Sequence, residues 1–515
     1  MELDGAGLTC AQVHAAAYGA ARVTISSLDR ARAAWRAAQE LTGPVYGQST
    51  GVGANKDVAV EEGGFDLLRS HAGGAGPLVA PEQARAMLVV RLNQLLAGGS
   101  GVDPGVLPVL AEAINDGFTP PIRTYGAIGT GDLTALATTA LCLLGEVPWQ
   151  GPTSPQEPTS RQGPIAGQEP TVTDRSAAGE RATAGQGSAT TDGPTAAEGA
   201  TAEGTTVSVS GPRYPLASSD ALPFISSGAA TLADAAIAVH RLRVLLDAAV
   251  DVAAFSFVAV AASAEPLAAA VQEARPHPGQ AATATRLRGL LSREFAARLQ
   301  DPYGYRAFAQ VHGAALDALG RAESVVETDL NAATENPLIA DSLAWHNGNF
   351  HSAPVALALD ALRAALVPTA QLSVARLATL MEPAYTGRLP FLAARPGGSG
   401  ALILEYVAQD ALAELRHLAN PVTAATAVIS RGTEDHAGFA TQAARYALRC
   451  VEPLEIVLAC ERVAATRGPD VPDRPLSDDL DAARALISQP FDLVRQAVGT
   501  RHPPYGAEDL QEDGR

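Results

Sequence analysis

The sequence predicts an all-α subunit organised around a long helical bundle. Three observations lead there. Apolar residues recur at helical spacing over long stretches in the second half of the chain. Alternation of period two is almost confined to 205–210. Several alanine-rich stretches are apolar around much of their circumference, so they must pack against other helices on several sides.

The elements follow in order. Residues 1–149 read as an N-terminal portion rich in glycine loops. Within it Asp132 stands as the N-cap of a helix running to Gly145, with Pro148 beyond. Residues 150–212 are mostly Gly, Pro, Thr, Ser, Ala, Gln and Glu, with almost no large apolar side chains. Such a segment cannot bury enough surface to offset its chain entropy, so it is predicted to be a disordered low-complexity insertion that acts as a tether. Residues 213–515 are predicted to hold the central bundle and C-terminal helices. The periodicity places helices over 248–264, ending short of Pro266; over 356–381, interrupted at Pro368; over 401–418, with Leu402, Tyr406, Ala413 and Leu415 among charged residues; and over 440–466, after a stop at Pro421.

Composition narrows the function. With 37 Lys+Arg against 55 Asp+Glu in 515 residues, the net charge is −18, unsuited to displacing counterions from nucleic-acid phosphates or to binding an anionic membrane. Lys56 is the one lysine. The cysteines Cys10, Cys142, Cys450 and Cys460 form neither a CxxC pair nor a disulfide framework. The first residues lack a basic start and an apolar core, and 252–264 is too short to span a bilayer. A soluble cytoplasmic protein is the expectation, with no metal and no membrane or nucleic-acid partner.

Six polar clusters separate the apolar helices: Tyr46 in VYGQSTGVG, His71 in RSHAGGAG, Gly129-Thr130-Gly131 before Asp132, Gln300 to Arg306 in QDPYGYR, Asn336 and Phe350 in NAATENPL and NGNFH, and Glu434 in RGTEDH. Each alone reads as a capped turn, a surface aromatic or a structural histidine. The glycine-rich turn into a helix at 126–133 lacks a preceding strand and a GK[ST] pair, so a nucleotide site is not expected. Six such clusters between helices are more than packing requires, and they are expected to converge on a site.

In their order along the chain these motifs resemble the aromatic amino acid lyase family: the histidine, phenylalanine and tyrosine ammonia-lyases and related aminomutases. The resemblance spans roughly residues 8 to 500, apart from the insertion. It implies a homotetramer whose sites are built from loops of three subunits, an amino acid substrate, and a self-formed 4-methylideneimidazole-5-one made when an Ala-Ser-Gly triplet cyclises. It also implies roles. Tyr46 is the general base that takes the β-proton, and Tyr303 assists electrophile chemistry or proton shuttling. Arg306 holds the substrate carboxylate in its bidentate fork. Gln300, Asn336 and Phe350 line the pocket, and His71 and Glu434 occupy positions that recognise an imidazole, tilting substrate preference toward histidine.

Two positions depart from the family pattern. Gly129-Thr130-Gly131 stands where Ala-Ser-Gly is expected, so dehydration would give a hindered ethylidene. Ser226 stands where an asparagine supports the electrophile's oxygen, with shorter reach. The expectation is therefore an ammonia-lyase for an aromatic amino acid. The alternatives are a lyase, aminomutase or cyclase of the same fold working without the prosthetic group, and a catalytically silent binding paralogue.

Overall fold

The computed structural model describes residues 1–19, 21–60, 63–151, 208–291, 298–466 and 471–488. The tether predicted within 150–212 lies almost wholly outside these residues.

The chain is helical, as expected, and eight helices organise it: α1 (Pro81–Ala97), α2 (Leu133–Leu144), α3 (Ala229–Ala259), α4 (Phe308–Leu330), α5 (Ala353–Leu380), α6 (Ile403–Leu418), α7 (Ala440–Arg449) and α8 (Val451–Thr466). The 31-residue α3 is the axis, in contact with α1, α4, α5, α7 and α8. Its composition accounts for this position: alanines on most sides let neighbouring helices approach, while Leu242, Leu246, Val250 and Phe257 fill the spaces between them. Helix α1 joins the N-terminal portion to the same core. It opens on Pro81, where a missing N–H costs nothing, and stops at Gly98, whose φ of 86° suits glycine.

Three predicted helices are shifted. The run 248–264 is the end of a helix starting at Ala229, and it stops at Ala259. There Ala261 turns left-handed (φ 52°) and the Ala262 N–H returns to the Phe257 carbonyl. Pro368 does not interrupt its helix; α5 continues through it because packing on three sides outweighs one lost backbone bond. The run 440–466 is two helices meeting at Cys450. Pro453 lacks an N–H to continue the ladder, and it sits instead in the first turn of α8, where none is needed.

Of the stretch 205–210, Ser208–Val209 forms a strand, antiparallel to Trp149–Gln150. This hairpin stem brings together the two ends of the insertion.

The core contains charge. Glu461 of α8 is fully buried and takes the Arg376 guanidinium in a two-pronged contact, Nε to Oε1 at 2.6 Å and Nη2 to Oε2 at 2.8 Å. The hydroxyls of Ser256 and Ser373 donate to the same carboxylate at 2.6 and 2.5 Å. Every lone pair thus has a donor, the condition under which a buried ion pair is tolerated.

One helix among the described residues, α5, is long and apolar enough to cross a membrane. It carries buried Asp360, Arg363 and Arg376 and packs on α3, α4, α6 and α8, the setting of a core helix.

Candidate active site

The loop 46–53 is folded around its tyrosine. The Tyr46 hydroxyl accepts the Gly53 N–H at 2.7 Å, and Gly53 has a left-handed φ of 56°. A Cβ on Gly53 would lie 2.3 Å from Ser430 Oγ and 3.0 Å from Glu434 Oε1, so only glycine lets the loop lie this close to 430–434. The Ala54 N–H donates to Ser430 Oγ at 2.9 Å. Tyr46 and Glu434 are therefore neighbours. Burial holds the Tyr46 phenol above its usual range and the Glu434 carboxylate adds to this; the Gly53 N–H and Lys56 pull the other way without prevailing.

The Gly129-Thr130-Gly131 turn has φ of 88° at Gly129 and 116° at Gly131. It is gripped from two sides. The Ser352 N–H donates to the Gly129 carbonyl at 3.3 Å, and the Phe439 N–H to the Ile128 carbonyl at 2.9 Å. A Cβ at Gly129 would stand 2.4 Å from Ala440 N. Thr130 is half-buried between them.

Asp132 begins α2 as predicted, but its side chain does not cap that helix. It caps α3, taking the Thr231 N–H at 2.7 Å and the Thr231 hydroxyl at 2.9 Å, while its own N–H donates to the Ser227 carbonyl at 2.7 Å. The carboxylate is buried and burial raises its pKa. The turn is thereby tied to the N-terminus of the central helix.

Ser226 closes this end. Its hydroxyl oxygen accepts the Asn336 N–H at 3.1 Å, and Asn336 Oδ1 accepts the Asn347 N–H at 2.9 Å. Arg91 underpins both segments, donating to the Phe224 and Pro223 carbonyls and to Glu335 Oε1 at 3.0, 2.6 and 2.9 Å. Phe350 is half-buried in the turn before α5. His71 keeps its Nδ1 within its own helix, 2.9 Å from the Leu67 carbonyl. That helix, Gly64–His71, packs on α2. Contrary to expectation a short strand, Arg123–Tyr125, does precede the turn; it pairs antiparallel with Ala75–Leu78 and so sets the segment after His71 beside the chain entering the turn.

Gln300, Tyr303 and Arg306 are elsewhere. Asp301 accepts the Ser263 N–H at 2.7 Å just past the C-terminus of α3, and the Gly304 carbonyl accepts Arg376 Nη1 at 3.0 Å. Ser226 precedes the N-terminus of α3, whose 31 residues extend about 45 Å. Within one chain, then, the expected convergence is only partial. Tyr46, Thr130, Ser226, Asn336, Phe350 and Glu434 gather at one end of the bundle, while Gln300, Tyr303 and Arg306 sit at the other. Tyr303 is 69% exposed, with Arg306 lying over its ring at 4.6 Å. The buried Arg306 Nε has no hydrogen-bond partner among the described residues.

Sequence reasoning missed Ser352, Ser430, Thr231 and Arg91. Arg91 had a signal, an arginine inside the apolar run MLVVRLNQLL. The others act through backbone or hydroxyl groups that no pattern distinguishes.

A family model described as aromatic amino acid lyase matches residues 8–489, and the chain belongs to that family. Its relatives include the histidine ammonia-lyase of Geobacillus thermodenitrificans, 32% identical over 522 residues and covering 97% of this chain and 94% of the relative. The histidine ammonia-lyase of Streptomyces coelicolor is 32% identical, covering 93% and 95%. Among solved structures, the histidine ammonia-lyase of Trypanosoma cruzi superposes with a TM-score of 0.74 at 25% identity, over 99% of each chain. The tyrosine aminomutase of Streptomyces globisporus shares the fold (TM-score 0.78, 24% identity, 97% and 98% covered).

Proposed function

We propose that this chain is an ammonia-lyase for an aromatic amino acid, histidine-like in preference, acting as a homotetramer. Each site would join the Tyr46 and Thr130 cluster of one copy to Tyr303 and Arg306 of others. The observation that carries this reading is the Tyr46 phenol, bonded to Gly53 N–H at 2.7 Å, within the loop cluster that also holds the Gly129-Thr130-Gly131 turn and Glu434.

The family's 4-methylideneimidazole-5-one supplies an electrophile that makes the α-amine a better leaving group. The residues present fit such a ring. Two glycines at positive φ flank the middle residue in a turn too tight for a Cβ at Gly129, and Thr130 has the β-hydroxyl that dehydration removes. Its extra methyl would remain on the exocyclic carbon.

The chain's own residues supply the rest. Tyr46 acts as its phenolate: Oη takes the β-proton and becomes the neutral phenol, and the Gly53 N–H stabilises the phenolate before that transfer. Since burial and Glu434 hold that phenol up within one subunit, the positive charge that lowers it is assigned to Arg306 of a neighbouring copy. Arg306 also grips the substrate carboxylate in a two-pronged contact. Glu434 accepts an imidazole N–H, with His71 as the second recognition group. Tyr303 hands a proton to the departing amine. Gln300, Asn336 and Phe350 line the pocket.

The bulk of Thr130 and the short reach of Ser226 favour a second reading, elimination or rearrangement of an activated substrate without the ring. One preparation separates the two. A subunit lighter than its sequence by two waters, with added near-UV absorbance and ammonia release from histidine exceeding that from phenylalanine or tyrosine, supports the first. An unmodified mass removes it.

A further inference from the structure

Two histidines outside the expected set lie in the segments that contact the turn. His351 Nε2 and His436 Nδ1 are 2.9 Å apart. Each belongs to a segment that grips the turn through backbone. His351 precedes Ser352, which donates to the Gly129 carbonyl; His436 lies three residues before Phe439, which donates to the Ile128 carbonyl, and four before Ala440, whose nitrogen stands 2.4 Å from where a Gly129 Cβ would be. The segments also meet at Gly438, where an added Cβ would lie 3.0 Å from His351 Cε1. His436 is two residues from Glu434, so the same contact reaches the loop facing Tyr46.

We propose that His351 and His436 are positioning residues whose ring-to-ring hydrogen bond locks these two segments around Gly129-Thr130-Gly131. Two backbone contacts reach the turn from separate pieces of chain, the start of α5 and the approach to α7. Helices α5 and α7 pack together, but packing does not set the angle at which each segment meets the turn. Among the described residues the histidine pair is the side-chain hydrogen bond that joins them, and because one ring must donate while the other accepts, its geometry is directional. Its consequence for ring closure rests on the lyase reading: a turn held compressed keeps the Gly131 amide near the Gly129 carbonyl, the entropic part of an intramolecular attack.

The test uses the full-length protein and two readouts. The Oδ1 of asparagine reaches where a histidine Nδ1 lies, and a glutamine amide reaches where Nε2 lies. His351→Gln and His436→Asn therefore keep the bond, whereas His351→Leu and His436→Leu remove it. Amide exchange of peptides carrying the Ser352 and Phe439 N–H groups, the donors to the turn, is expected to be roughly tenfold faster in both leucine variants, the factor that one lost hydrogen bond of ordinary strength carries, and unchanged in the mimics. Should the leucine variants fail to fold, the transposed amides His351→Asn and His436→Gln, with the wrong reach, replace them and are expected to exchange as fast. Wild-type protection in the bond-breaking variants, or fast exchange in the mimics, overturns the proposal. Intact mass is read on the same samples. A wild type of unmodified mass removes the ring-forming lyase reading, while the exchange pattern still decides the positioning role. In a dehydrated wild type, the leucine variants are expected to retain a larger fraction at full mass.

Discussion

The phenol of Tyr46 accepts the backbone N–H of Gly53, seven residues on, at 2.7 Å, so the candidate base is held by its own loop. Tyr46→Phe keeps the ring in place and removes that bond. Ammonia release is expected to fall by about 10²–10⁴-fold, the usual contribution of a general base. The melting transition should register only about 1 kcal/mol. Equal turnover in the variant would remove Tyr46 from the chemistry.

Thr130 invites a gain-of-modification experiment. Thr130→Ser deletes the methyl that crowds dehydration, so the mass deficit of two waters and the near-UV band are expected to rise above those of the parent. Gly129→Ala acts oppositely. Its Cβ would meet Ala440 N at 2.4 Å at a φ of 88°, a strain of about 1–3 kcal/mol that denaturant unfolding would detect.

The Arg376–Glu461 pair offers a test of the core. Arg376→Met alone leaves a buried carboxylate with only the two serine hydroxyls, and a loss of about 3–5 kcal/mol is expected. Adding Glu461→Met should restore most of it. A double variant as unstable as the single would show that the pair contributes more than mutual charge compensation.

Asp234 sets a pH dependence. Burial pushes its carboxyl up to about 6, despite the hydrogen bond donated by Gln83 Nε2 at 2.7 Å. The folded state therefore holds a proton that the unfolded chain, near 3.8, has already released. Stability should fall as pH rises from about 4 to about 6 and level off above. Asp234→Asn should flatten that slope by about 1–3 kcal/mol. Part of it will persist, because burial pushes Asp329 up to about 6 as well. Urea midpoints at fixed protein concentration across this range give the answer; an unchanged slope would dissociate Asp234 from it.

The hairpin stem of Trp149–Gln150 and Ser208–Val209 predicts the outcome of removing the insertion. Deleting 154–206 leaves four residues between Gln150 and Ser208, a loop length the hairpin accepts. The melting temperature and the oligomeric state by light scattering are expected to match the full chain. Loss of assembly would assign the segment a structural role.

Helical periodicity exposed α5 and α6 to within three residues because their apolar faces repeat over many turns. It misjudged the junction at Cys450 and the end of α3, which depend on a single proline's missing donor and one left-handed alanine. The site motifs were legible as residue types in order. Asp132 shows where that stops: its place before α2 was readable, but the helix it caps begins about a hundred residues later.

By itself, then, the sequence determined the helical class, the family and the identities of the chemical groups, because periodicity, composition and motif order are properties of the chain. Only the tertiary structure decided which groups meet. It brought Tyr46 to Glu434 and Ser226 to Asn336, and set Tyr303 and Arg306 about 45 Å from them along α3. The physical reason is that a rigid helix fixes separation along its axis, and no local pattern records which of its ends a distant loop will reach.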